Sequence, residues 1–130
     1  MAIAAAAVLV SACASTRYDN SIPSTPTTET PTTLPSGPAA VLLPRLVDEA
    51  GKLSPAITSA SGKSEIAASI QDLWNAAQQE VAANRPELVG GFEGAVAMAQ
   101  RAARFNRAAD ADKAFKNLEA LVTSYLQAAG

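Results

Sequence analysis

Residues 111–129, ADKAFKNLEALVTSYLQAA, decide the fold class. Ala114, Phe115, Leu118, Leu121, Val122, Tyr125 and Leu126 recur at the three- and four-residue steps of one helical face. Wound at about 3.6 residues per turn, Leu118, Leu121, Val122 and Tyr125 share an arc of about 100°, while Lys116, Thr123 and Gln127 fall on the far side. A stripe this broad faces a core and not merely a two-stranded seam. Asp110 just before it is a good N-cap, so a helix is predicted over 111–129.

Upstream, residues 86–107 read as a second such helix, with Leu88, Phe92, Ala95, Val96, Ala99 and Ala102 on one face and Met98 and Phe105 on its flank. Pro86 suits a helix start, and Arg101, Arg104 and Arg107 near the far end oppose the helix dipole. A third helix is predicted over 63–83, where Ile66, Ile70, Leu73, Ala77 and Val81 follow the same steps, Trp74 widens the face and Ser61 serves as cap. The first helix is predicted to be shorter, over 44–53, with Pro44 in its first turn and Gly51 and Pro55 marking its end. Residues 39–43 then form an apolar lead-in, and 54–62 a loop from which Ile57 tucks back onto the core. Short links between sequential helices force antiparallel neighbours. The expected fold is therefore all-α: a small antiparallel helical bundle of three long helices and a shorter first one, over residues 39–130.

Composition agrees with a close-packed bundle. Residues 39–130 hold 24 large apolar side chains, enough for one core, and 23 alanines, whose small side chains let helix backbones approach. Histidine is absent and Cys13 is the only cysteine, which removes the usual general base, the thiolate nucleophile and the common transition-metal ligands from this region. The net charge of −2 with no basic block argues against a nucleic-acid partner. Asp48 with Glu49, and Asp110 with Asp112, have the spacing of ordinary surface and capping carboxylates. No metal, no cofactor and no enzymatic activity are expected.

Three groups of residues stand out as candidate sites. Gly90, Gly91 and Gly94 each cost about 1 kcal/mol against alanine inside a helix, so close approach of another helix, a bend or a ligand should offset them. Gly91 and Gly94 with Trp74 and Phe92 therefore mark either a packing site or a ligand pocket between helices. The spaced Arg101, Arg104 and Arg107 are candidates for contact with an anion, or form a solvated face. The third candidate is the N-terminal Cys13.

Residues 2–10, AIAAAAVLV, are an uncharged apolar run too short to span a bilayer, which takes about 20 residues, and they fit the hydrophobic region of a signal peptide. No Lys or Arg precedes the run, a departure from the usual signal-peptide pattern that leaves open whether the natural start lies upstream of Met1. Residues 14–38 contain 16 Ser, Thr or Pro in 25, the composition of a disordered tether that is either a bare spacer or O-glycosylated at its threonines. Between them, Val10-Ser11-Ala12-Cys13 resembles the lipobox of bacterial lipoproteins: an aliphatic residue, two small residues, then cysteine. The resemblance implies cleavage before Cys13, acylation of that cysteine with fatty acids such as palmitate, and a membrane anchor on the extracytoplasmic side of the cell envelope. Residues 1–12 would be the signal peptide and 13–38 the lipidated cysteine with its linker.

The helical pattern is similar to the small bundles of the cytochrome c-prime and imelysin-like groups, and resembles exported actinobacterial proteins of unknown role. The chain lacks the Cys-x-x-Cys-His and histidine motifs those activities need, so none carries over. The expected function is a non-enzymatic binding or scaffolding module, tethered to the membrane, whose partner is an envelope protein, a glycan or a lipid. The alternative is a ligand-carrying lipoprotein with a pocket between its helices, and a deep cavity beside Gly91 and Gly94 would favour it.

Overall fold

The computed structural model describes residues 34–129. The segments expected to be a signal peptide and a lipobox with Cys13, and nearly all of the expected linker, lie outside the described residues. Four helices follow one another: α1 (Ala39–Ser59), α2 (Lys63–Asn84), α3 (Pro86–Phe105) and α4 (Ala108–Ala128). Among the described residues there is no strand, and no helix is long and apolar enough to cross a membrane. α1 packs against α2 and α4, α3 packs against the same two, and α1 and α3 touch only lightly across the diagonal. This is the antiparallel bundle expected from the periodicity.

The first helix is longer than its prolines imply, and is as long as the other three. It begins at Ala39, where the Pro38 carbonyl accepts the N–H groups of Val41 and Leu42 at 2.9 and 3.1 Å. It then runs through both Pro44 and Pro55 to Ser59. Each interior proline costs about 3 kcal/mol by removing a hydrogen bond and crowding the preceding turn. Burial offsets that: Leu42 and Leu43 ahead of Pro44 and Ile57 beyond Pro55 are buried, and each such side chain contributes about 1.5–3 kcal/mol. The carbonyls that the prolines leave unpaired belong to Ala40 and Gly51, both exposed and within reach of water. Gly51 does not end the helix; a Cβ there would meet the Phe115 ring at 3.4 Å, so the glycine lets α4 come close.

The other boundaries shift by a few residues. Gly62, with φ +77°, is the N-cap of α2 in place of Ser61. α3 stops at Phe105 because Asn106 adopts the left-handed region at φ 54°, a conformation asparagine tolerates well. Arg107 therefore precedes α4 instead of ending α3. Its carbonyl accepts the N–H groups of Asp110 and Ala111 at 3.0 and 3.2 Å. Asp110 thus lies in the first turn of α4, not at its cap, and its carboxylate pairs with Arg107 at 2.8 Å.

Leu42, Leu43, Leu46 and Leu53 from α1, Ile70, Leu73, Trp74 and Val81 from α2, Phe92 and Val96 from α3, and Leu118, Val122 and Tyr125 from α4 form one core. Among the described residues no charged side chain is buried with them.

Candidate binding surfaces

Gly90, Gly91 and Gly94 look alike in sequence, yet Gly91 has surroundings unlike those of the other two. A Cβ on Gly91 would come within 2.8 Å of Leu121 Cδ2, so this glycine admits α4. Nothing lies within 4 Å of the corresponding positions on Gly90 and Gly94. The packing explanation therefore holds at Gly91 and fails at Gly94, which does not join Gly91 at a common site. In chemical denaturation, Gly90→Ala and Gly94→Ala should each raise stability by about 0.5–1 kcal/mol, the ordinary helical gain. Gly91→Ala should gain less or lose stability, because Leu121 must rotate away. Equal gains at all three positions would contradict the close approach of α4.

Trp74 and Phe92, 18 positions apart in the sequence, are brought together across the α2–α3 contact. Their rings stack with centroids 5.0 Å apart and an interplanar angle of 17°. Phe92 is fully buried and Trp74 nearly so, and both belong to the core. Outside Trp74 lies an open depression of about 250 Å³, with Gln71, Asn75, Gln78 and Glu93 on its rim. Gln78 donates to Glu93 at 3.0 Å, linking α2 to α3 across it. The space beside these aromatics is a polar surface dip and not a pocket reaching Gly91.

The three arginines are not one cluster either. Arg107 is held by Asp110, whereas Arg101 and Arg104 stand exposed on α3. Arg104 and Lys63 line a second open depression of about 330 Å³ with Ser64, Ala67, Gln100 and Ala103. Gln100 donates to the Ala67 carbonyl at 2.7 Å, and Lys63 donates to the Asn106 side-chain oxygen, so α2 and α3 are joined at this end.

At the opposite end is a polar group that the sequence pattern did not single out. Glu80 of α2 accepts the first N–H of α1, from Ala39, at 2.8 Å, which is the task an N-cap side chain normally performs. Tyr125 donates to the other Glu80 oxygen at 3.4 Å, and Asn84 donates to the Tyr125 hydroxyl at 3.2 Å. Arg85 donates to the Ser124 carbonyl at 3.1 Å and pairs with Glu87. The hydrogen bond from Arg85 holds the exposed Glu87 carboxyl below the usual carboxylate range. Asn84, Arg85 and Tyr125 line a third depression of about 370 Å³, closed by Ala128 and Ala129. The only trace of this group in the sequence is Glu80 and Asn84 standing four residues apart, which by itself is an ordinary helical face.

Among the described residues, no three Asp or Glu side chains converge in a way that would hold a metal ion. Taken together, these features describe a four-helix bundle with one apolar core and open, polar-rimmed depressions on its outside. No family model matches the chain, and no curated protein or solved structure matches it.

Proposed function

We propose that the chain is the precursor of a bacterial envelope lipoprotein, anchored to the cell membrane by lipid on Cys13 and displaying the bundle on the extracytoplasmic side as a non-enzymatic binding or scaffolding module. The observation that carries this reading is the order of segments in the sequence. An apolar run, Val10-Ser11-Ala12-Cys13, a Ser/Thr/Pro-rich stretch and a helical domain follow one another directly. The shape of the bundle supports the module over the ligand carrier: Leu121 occupies the space beside Gly91, and the depressions open outward. A partner would accordingly be met on the outer surface. Cofactor, metal and nucleic acid have no part in this reading.

Cys13→Ala in the native host is the test. The substitution should abolish labelling by radioactive palmitate and move the protein out of the membrane fraction or leave it unprocessed, because two acyl chains supply nearly all the membrane affinity of such an anchor. A Cys13→Ala protein that is processed and still sediments with membranes would exclude the lipid anchor.

A further inference from the structure

The end of the bundle farthest from Ala39 carries an excess of positive charge around an exposed aromatic ring. Residues 94–107 contain three arginines and no acid, although the whole chain has a net charge of −2. On α3, Arg104 and Phe105 lie about −60° and +40° from Arg101, so the three share an arc of about 100°. Phe105 is 60% exposed, the most exposed large apolar side chain among the described residues. Lys63 reaches the same end, beside Arg104 and bonded to the neutral Asn106 side chain. Of the ion pairs among the described residues, only Arg107–Asp110 lies here, so Lys63, Arg101 and Arg104 retain uncompensated charge. The acids at this end, Glu65, Asp110 and Asp112, are outnumbered by Lys63, Arg101, Arg104, Arg107 and Lys113.

We infer that this end, through Arg101, Arg104, Phe105 and Lys63, docks on the headgroups of an anionic lipid bilayer. Charge complementarity selects a negative partner. The lone ring selects a fluid surface over a protein: a stable protein interface needs a contiguous patch with an apolar centre, burying roughly 1,000 Å² or more in total. Here a single phenyl group shares its helix face with Arg101 and Arg104. Basic side chains around a lone aromatic suit the headgroup layer, where the ring enters the acyl boundary and the cations remain among phosphates.

The chain has the reach for this. Helices of 20–22 residues are about 30 Å long. The 25 residues between Cys13 and Ala39 can extend to about 80–90 Å. The far end can therefore turn back to the bilayer that holds Cys13. That reach rests on the anchor proposed above, whereas attraction to anionic vesicles does not, so the two readings fail separately.

The test is cosedimentation of the full chain with vesicles of phosphatidylglycerol mixed into phosphatidylcholine, against phosphatidylcholine alone. Attachment through residues 2–10 is common to all variants and to both vesicles, and so cancels. Wild type should favour the anionic vesicles, with the preference shrinking as salt rises. Each basic residue near an anionic leaflet strengthens binding about fivefold, so Arg101→Gln with Arg104→Gln should weaken it about 25-fold. Phe105→Ala should weaken it several-fold without changing the salt dependence. All three substitutions are at exposed positions, and unchanged far-UV circular dichroism checks that the helices persist. Equal binding to both vesicles, or a double variant that binds like wild type, overturns the inference. So does retention on an immobilised acidic peptide with no preference for anionic vesicles.

Discussion

Phe92→Ala should lower the free energy of unfolding by about 3–5 kcal/mol, the usual loss when a fully buried phenyl group is removed and its cavity only partly collapses. Phe92 stacks on Trp74, the chain's single tryptophan, so the same substitution has an optical signature. Without the ring, Trp74 is left between a cavity and the dip rimmed by Gln71 and Gln78, and its fluorescence should shift to the red. A domain of this size is stable by only about 5–15 kcal/mol, so the variant should be near its folding limit at 37 °C. Phe92→Leu keeps part of the volume and should lose less. A loss below about 1 kcal/mol for Phe92→Ala, measured in urea, would mean that the α2–α3 contact does not form as described.

The second large effect is expected on α4. Leu118 is fully buried, Leu121 is half-buried against Gly91, and Thr123 is exposed. Leu118→Ala should therefore cost about 2–5 kcal/mol and Leu121→Ala clearly less. Thr123→Ala removes only a hydroxyl bonded to the Glu119 carbonyl one turn back, and should change stability by less than about 0.5 kcal/mol. The ranking Leu118 over Leu121 over Thr123 is the check. Indistinguishable losses at Leu118 and Thr123 would overturn the burial of this face.

α4 was legible because its apolar residues keep helical period along the helix and no residue interrupts them. α2 and α3 were legible for the same reason, and Asn84-Arg85-Pro86 set their boundary within a residue. The extent of α1 was not legible. Pro44 and Pro55 give strong local signals, whereas the burial of Leu42, Leu43 and Ile57 that outweighs them depends on α2 and α4 being in place. The glycines show the same limit. Only the position of Leu121 distinguishes Gly91 from Gly90 and Gly94, and Leu121 lies 30 residues away in the sequence.

Of the candidate sites, Trp74 and Phe92 do meet, but as core. Arg107 was assigned to the wrong helix because Asn106, a residue that tolerates the left-handed region but also occurs inside helices, is only a weak local stop signal. The group around Glu80 was invisible for another reason: its bonds to Ala39 and Tyr125 cross 41 and 45 positions, and no pattern along one helix encodes them.

That group also bears on the order in which the bundle can be assembled during synthesis. Ala39 begins α1, Glu80 lies near the end of α2 and Tyr125 near the end of α4, yet the three are joined by hydrogen bonds. A growing chain can pair α1 with α2 early, as a hairpin of neighbouring segments. The flank of α1 that α4 will cover stays bare until α4 emerges. The clasp at Ala39 is then closed by α4, so a version lacking the last turns of α4 would lose both the Tyr125 contact and part of the cover over α1. Emergence of α4, the last of the four helices in chain order, is the step at which this bundle acquires its native form.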